Sequence, residues 1–115
     1  MITVDVRDLR VFGRHGAYEG ERERGQHFLF DVELDVGERG TSDRLEDAVD
    51  YVEVARVVQE VSDARQYALL EALASAVADE LERRFSPERV RVRVRKPEVR
   101  PAGLDGTVAA TVTRP

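Results

Sequence analysis

The sequence has no cysteine and no tryptophan, and among its 115 residues it carries only two histidines, four prolines and one methionine. Without a thiol there can be no disulfide, no thiolate nucleophile and no cysteine-bound metal. A catalytic zinc commonly takes three protein ligands, often His. His15 and His27 stand on separate segments and do not supply such a set. No apolar run approaches the roughly 18 residues of a membrane helix. Strand-like alternation begins at Ile2, and the expectation from this is no signal peptide. No serine sits in a Gly-x-Ser-x-Gly elbow, and no phosphate-cradling loop follows a strand. The formal net charge of −5 argues against a general nucleic-acid binder. The expectation is a soluble cytoplasmic protein with no metal, no cofactor, no membrane and no nucleic-acid partner. Its length predicts a single domain over residues 1–115. A domain this small would gain from a shared interface that buries more of its surface.

Lysine is also nearly missing. Seventeen arginines stand against one lysine, Lys96. Codon bias in a GC-rich genome accounts for an excess of Arg but not for the one Lys that remains. Arg is always protonated in practice, whereas Lys can give up its proton in a suitable site. Lys96 is therefore a candidate for proton transfer, set against the alternative of an ordinary surface Lys.

What is present is a periodic pattern. Ile2, Val4 and Val6 alternate with polar residues and predict a strand that continues to Phe12. Residues 13–26, with four glycines and many charges, predict a loop. Residues 27–36 predict a second strand, with Phe28, Phe30, Val32, Leu34 and Val36 on one face. After a loop over 37–50, Asp50 is placed to cap a helix whose buried stripe would be Tyr51, Val54, Ala55, Val58 and Val61. Residues 62–67 are polar and predict a break. A second helix over about 68–85 would bury Leu70, Leu73, Ala74, Val77 and Leu81. Residues 88–95 and 107–113 predict two more strands.

The order ββααββ suits an α+β fold, an antiparallel sheet with two helices packed on one face. On the other face Asp31, Glu33 and Asp35 would meet Arg91, Arg93 and Arg95. Such pairs contribute roughly 0.2–1 kcal/mol each. The face is either an ordinary solvated surface or the lining of a wet cavity formed by several subunits. The last strand, poor in charge, would be an exposed edge in a monomer.

With metal, thiol and serine chemistry set aside, acid/base work by Lys, Tyr and Glu remains, with His a further candidate. Lys96 closes a strand next to Pro97, and Arg95 and Arg100 nearby would disfavour a further cation there. Tyr51 opens the first helix, either as a core residue with its hydroxyl at the rim or as a site residue. Glu71 flanks the buried stripe of the second helix. A carboxylate there is either displaced to solvent or paired with a planar edge carrying two N–H groups. Glu21 lies in an acidic loop and draws no attention alone.

In order and spacing, several short stretches together resemble the dihydroneopterin aldolase family over nearly the whole chain. They are Arg14-His15-Gly16-Ala17 with Glu21 and Gly25-Gln26-His27-Phe28; Ser42-Asp43 and Asp50-Tyr51; Leu69-Leu70-Glu71-Ala72-Leu73-Ala74; and Val92-Arg93-Val94-Arg95-Lys96-Pro97. Ala48 stands where Thr is usual in that family, Asp50 where Asn or His is common, and the loop after Pro97 is more charged than usual. The resemblance implies the tunnelling fold: four subunits joining their sheets into an oligomeric barrel, two rings stacked into a homo-octamer, and active sites between subunits. It implies a pterin substrate bound by Glu71 and the backbone of Leu70. Lys96 would act as proton donor and acceptor, Tyr51 would move protons or hold the side chain, and Glu21 would contact the side-chain hydroxyls. The implied reaction is metal-free retro-aldol cleavage of 7,8-dihydroneopterin in folate biosynthesis, with a 2′-epimerase side activity. His15 is expected to pack rather than to react. Two rival readings are a dihydroneopterin-triphosphate epimerase, with Arg14, Arg22 and Arg24 serving the phosphates, and a non-catalytic oligomer that binds pterins or purines.

Overall fold

The computed structural model describes residues 1–115. Strand β1 (Thr3–Gly13) is followed by a short helix α1 (Glu19–Arg24) and strand β2 (Gln26–Asp35). Helices α2 (Tyr51–Ala64) and α3 (Leu70–Phe85) come next, then strands β3 (Arg89–Lys96) and β4 (Val108–Arg114). The four strands form one antiparallel sheet in the order β1-β2-β3-β4. No helix is long and apolar enough to cross a membrane.

The α+β fold follows the predicted pattern. Phe28, Phe30, Val32 and Leu34 of β2 and Val90, Val92 and Val94 of β3 are fully buried. They face Val54, Val57 and Val58 of α2 and Leu73, Val77 and Leu81 of α3 in one apolar cluster. Each such side chain contributes roughly 1.5–3 kcal/mol by leaving water. Asp50 caps α2, its carboxylate accepting from the Val52 N–H at 2.9 Å. Ser86, in the left-handed region at φ 46°, ends α3.

Three expectations are corrected. The loop over 13–26 contains α1, which buries no residue and so has no apolar period to reveal it. Its glutamates at the start and arginines at the end suit the helix dipole. Helix α2 runs on through residues 62–64, because Ser62 faces inward to a buried polar partner instead of breaking the helix. Tyr51 is not on the buried stripe; it is exposed, and Val57 takes the inward place.

The register sets the opposite sheet face. Asp31 lies across from Arg93, Glu33 from Arg91 and Asp35 from Arg89. Arg91 reaches Glu33 at 3.2 Å and Arg95 reaches Asp31 at 3.0 Å. A bulge at Arg7 and Asp8 shifts the β1 register, so Val4 and Val6 before it and Leu9 and Val11 after it all face the helices. Asp8 takes the left-handed region there (φ 55°), and its N–H bonds to Asp31. β1 and β4 are the open edges of the sheet.

Candidate active site

Side chains alternate along a strand, so the inward series Val90, Val92, Val94 continues to Lys96. The one lysine therefore lies on the helix side of the sheet, at the end of the apolar row. Its amine meets Glu21 of α1, Nζ to Oε2 at 3.1 Å, and both side chains are only 14 % exposed. The same alternation on β2 carries Phe28 and Phe30 back to Gln26, which is buried. Gln26 Nε2 donates to Glu21 Oε2 and to the His15 carbonyl, both at 3.3 Å. Its Oε1 is buried and finds no donor in the protein.

Gly16 makes the approach of Glu21 possible. A Cβ on Gly16 would lie 2.4 Å from the Glu21 Cβ and 2.8 Å from its carboxyl carbon. Burial is the largest influence on the Glu21 carboxyl and would raise its pKa. Hydrogen bonds from Lys96 and Gln26, the charge of Lys96 and a backbone hydrogen bond from Tyr18 together outweigh it. Glu21 is thus held below its ordinary value and is ionised at neutral pH.

The neighbours expected for Lys96 lie elsewhere. Arg95 points to the opposite sheet face and pairs with Asp31 and Asp8. Arg100 donates to the Asp105 carbonyl at 2.8 Å. The charge that Lys96 meets is negative. Sequence adjacency misleads here because successive strand residues face opposite ways.

Tyr51 opens α2 and Glu71 stands in the first turn of α3; both are exposed, Tyr51 at 68 %. Leu70 is buried and begins α3, whose first turn has no side-chain cap. That turn offers free backbone N–H donors beside the Glu71 carboxylate. Within the chain the structure joins Lys96 to Glu21, but not to Tyr51 or Glu71. A cleft of ≈ 150 Å³ beside the pair is lined by Glu21, Arg24, Gly25, Gln26, Glu98 and Val99.

His15 packs, as expected. It is 2 % exposed; its Nδ1 accepts from the Tyr67 N–H at 3.0 Å, so the ring hydrogen sits on Nε2, 2.9 Å from Ser62 Oγ. Burial lowers its pKa, with Asp63 acting in the opposite direction.

Gln26 is the functional candidate that sequence reasoning missed. A polar residue in phase with a row of buried apolar ones is the signal that would have found it.

Fold and pair define a class: an α+β protein with a sheltered amine–carboxylate pair at the end of its sheet, equipped for acid/base chemistry. A family model described as FolB, dihydroneopterin aldolase, matches residues 4–113. A dihydroneopterin aldolase of Methylorubrum extorquens is 38 % identical over 87 % of this chain and 80 % of its own length. One from Bacillus subtilis is 32 % identical over 99 % of this chain and 98 % of its own length. The crystal structure of E. coli dihydroneopterin aldolase in complex with neopterin superposes with a TM-score of 0.90 at 28 % identity, covering all of both chains. The chain belongs to the dihydroneopterin aldolase family.

Proposed function

We propose that the Lys96–Glu21 pair performs the retro-aldol cleavage of 7,8-dihydroneopterin in folate biosynthesis. The observation that carries this reading is the pair itself, an amine and a carboxylate 3.1 Å apart and largely shielded from water. The substrate holds a C=N bond next to the reacting carbon. A proton leaves the 2′-hydroxyl and the C1′–C2′ bond breaks. Its electrons enter the imine, giving an enamine, and glycolaldehyde departs. Protonation at C1′ gives 6-hydroxymethyl-7,8-dihydropterin. The heterocycle stores the electron pair, so the protein need only orient groups and move protons. Acid/base assistance supplies roughly 100- to 10,000-fold. Lys96 is the proton donor and acceptor, and Glu21 holds the side-chain hydroxyls, with Gln26 Oε1 offering a further acceptor.

Glu71 and the first turn of α3 suit the pterin ring. The carboxylate would take two hydrogen bonds from the ring N–H and the exocyclic amine. The backbone at Leu70 would add to that anchor. Tyr51 would come from a neighbouring subunit. The cleft beside Glu21 is smaller than the roughly 300–1,000 Å³ of a typical small-molecule site, which favours a site completed by a second protomer. The open edges β1 and β4, with half-buried Val4 and Val6 on one and Val108 and Val112 on the other, suit a closed four-subunit barrel. Two such rings would make an octamer, with the paired charges of the sheet lining its tunnel.

The rival preference for a triphosphate side chain has less support. Arg14 and Arg22 bond to the carbonyls of Glu23 and Gly16, which leaves Arg24 as the guanidinium in the cleft. The same enamine can reclose with inverted configuration, so epimerisation at C2′ belongs to the proposal. The test is incubation with 7,8-dihydroneopterin and chromatographic identification of products. Formation of 6-hydroxymethyl-7,8-dihydropterin and glycolaldehyde is expected; recovery of unchanged substrate overturns the reading.

A further inference from the structure

We infer that His15 is a positioning residue for the acid/base pair, clamping the segment that carries Glu21 to the α2–α3 connector through Tyr67. The inference rests on the reaction proposed above. Helix α1 has no apolar face of its own and buries no residue, so nothing in its packing sets the place of Glu21. Its position is set by the bonds from Lys96 and Gln26 and by the segment before it. There the Gly16 N–H donates to the Tyr67 carbonyl at 2.9 Å, and the Tyr67 N–H donates to His15 Nδ1 at 3.0 Å. The two bonds fasten residues 15 and 16 to one point on the connector. His15 Nε2–H adds a third bond, to Ser62 Oγ of α2 at 2.9 Å. The ring is wedged between Phe28 and Tyr67, with centroids at 5.2 and 5.5 Å.

From this clamp two links run directly to Glu21. Gln26 Nε2 bridges the His15 carbonyl and the Glu21 carboxylate at 3.3 Å each. The bare Cα of Gly16 lies against the Glu21 side chain so closely that a methyl group there would displace it. The Arg22 guanidinium, one residue after Glu21, donates to the Gly16 carbonyl at 2.8 Å. A shift of His15 is therefore passed to Glu21 by a bond and by a van der Waals contact, and from Glu21 to Lys96. A buried imidazole that gave only packing would need no such asymmetry: one nitrogen accepting from backbone, the other donating to a helix. The connector also leads, three residues later, into Leu70 and Glu71, so the clamp sits between the two halves of the proposed site. Helix α3 is held separately by Leu70, Leu73 and Val77 in the core. Loss of the clamp should therefore disturb the proton-transfer half and leave the ring anchor in place.

The test compares His15→Gln with His15→Asn. The Asn amide oxygen reaches about where Nδ1 lies and can keep the Tyr67 bond, whereas the Gln amide reaches towards Ser62 and leaves the Tyr67 N–H without an acceptor. Wild-type turnover of 7,8-dihydroneopterin is measured first, so an inactive wild type counts against the function and not against the clamp. Lys96 is the one lysine, so lysine labelled with carbon-13 at Cε gives one side-chain signal that reports the pair without any assay. His15→Gln is expected to lower kcat on the order of 10- to 100-fold, as small misplacements of reacting groups do. KM should stay within about threefold, the Lys96 signal should move, and His15→Asn should restore both. An unmoved lysine signal with unchanged kcat overturns the inference. So does a loss that His15→Asn fails to rescue. If His15→Gln does not fold, His15→Ser takes its place; should neither fold, His15 is a core residue only and the inference fails.

Discussion

At the scale of single residues, the protein turns on where one amine is placed. Lys96 stands in an inward row and is stopped short of full burial by the end of its strand. Lys96→Ala should reduce turnover by at least about 100-fold, in the range general acid–base groups supply. Pterin affinity should hold within a few-fold, checked by single-turnover kinetics and by binding of a non-cleavable pterin; unchanged turnover rejects the role. Buried His15 and partly shielded Glu21 also contribute to how stability responds to acid. Both His15 and Glu21 have pKa values lowered in the folded chain, so the unfolded chain takes up protons first and stability rises with pH. The His15 contribution is complete above its ordinary value of 6.5 and declines as pH falls below it. The Glu21 contribution is complete above 4.5 and is lost as pH falls through the lowered value. Thermal melts across this range should show two falling segments, and His15→Asn should remove the upper one; a melting temperature flat from neutral pH down to 4.5 would contradict the His15 assignment, and one flat below 4.5 the Glu21 assignment.

At the scale of elements, parity and capping explain most of what was legible. The alternation along β2 and β3 announced the core face correctly, and it places Gln26 and Lys96 at the ends of two inward rows. Helix α3 showed its stripe because its apolar residues recur at three- and four-residue steps. Helix α1 gave no such sign, since it buries nothing and is held by polar bonds. The extension of α2 through Ser62 was hidden for a related reason: a polar residue can face inward only if a partner waits there, and the partner, His15, lies 47 positions away. The Asp50 cap is a local feature, and its cost is calculable. Asp50→Ala should destabilise by about 1 kcal/mol. The fall is read as a lower thermal midpoint, and an unaltered midpoint would mean α2 is fixed by packing alone.

At the scale of the whole molecule, the chain presents one joined pair, two exposed helix starts and two open sheet edges. Lys96 and Glu21 are joined; Tyr51 and Glu71 stand exposed at helix starts. If Tyr51 is supplied by a neighbour, Lys96→Ala and Tyr51→Ala protomers carry defects that a mixed assembly can separate. Each variant alone should be impaired, and mixing after dissociation and reassembly should restore part of the activity. No recovery, in mixtures shown by sedimentation to have exchanged subunits, would place both residues in the same protomer's site. The open edges should be consumed in the same assembly, so activity should fall on dilution in step with the loss of large species.

The sequence by itself determined the α+β order, the faces of the strands and helices, and the candidacy of Lys96, because periodicity and composition are properties of neighbours along the chain. Only the tertiary structure decided that the partner of Lys96 is Glu21 and not an arginine beside it, that Gln26 and Gly16 serve that contact, and that His15 fastens Tyr67. Those contacts join positions from 5 to 75 residues apart. Their geometry arises where the β1–β2 segment carrying α1 meets the ends of β2 and β3 and the α2–α3 connector, and no local pattern encodes it.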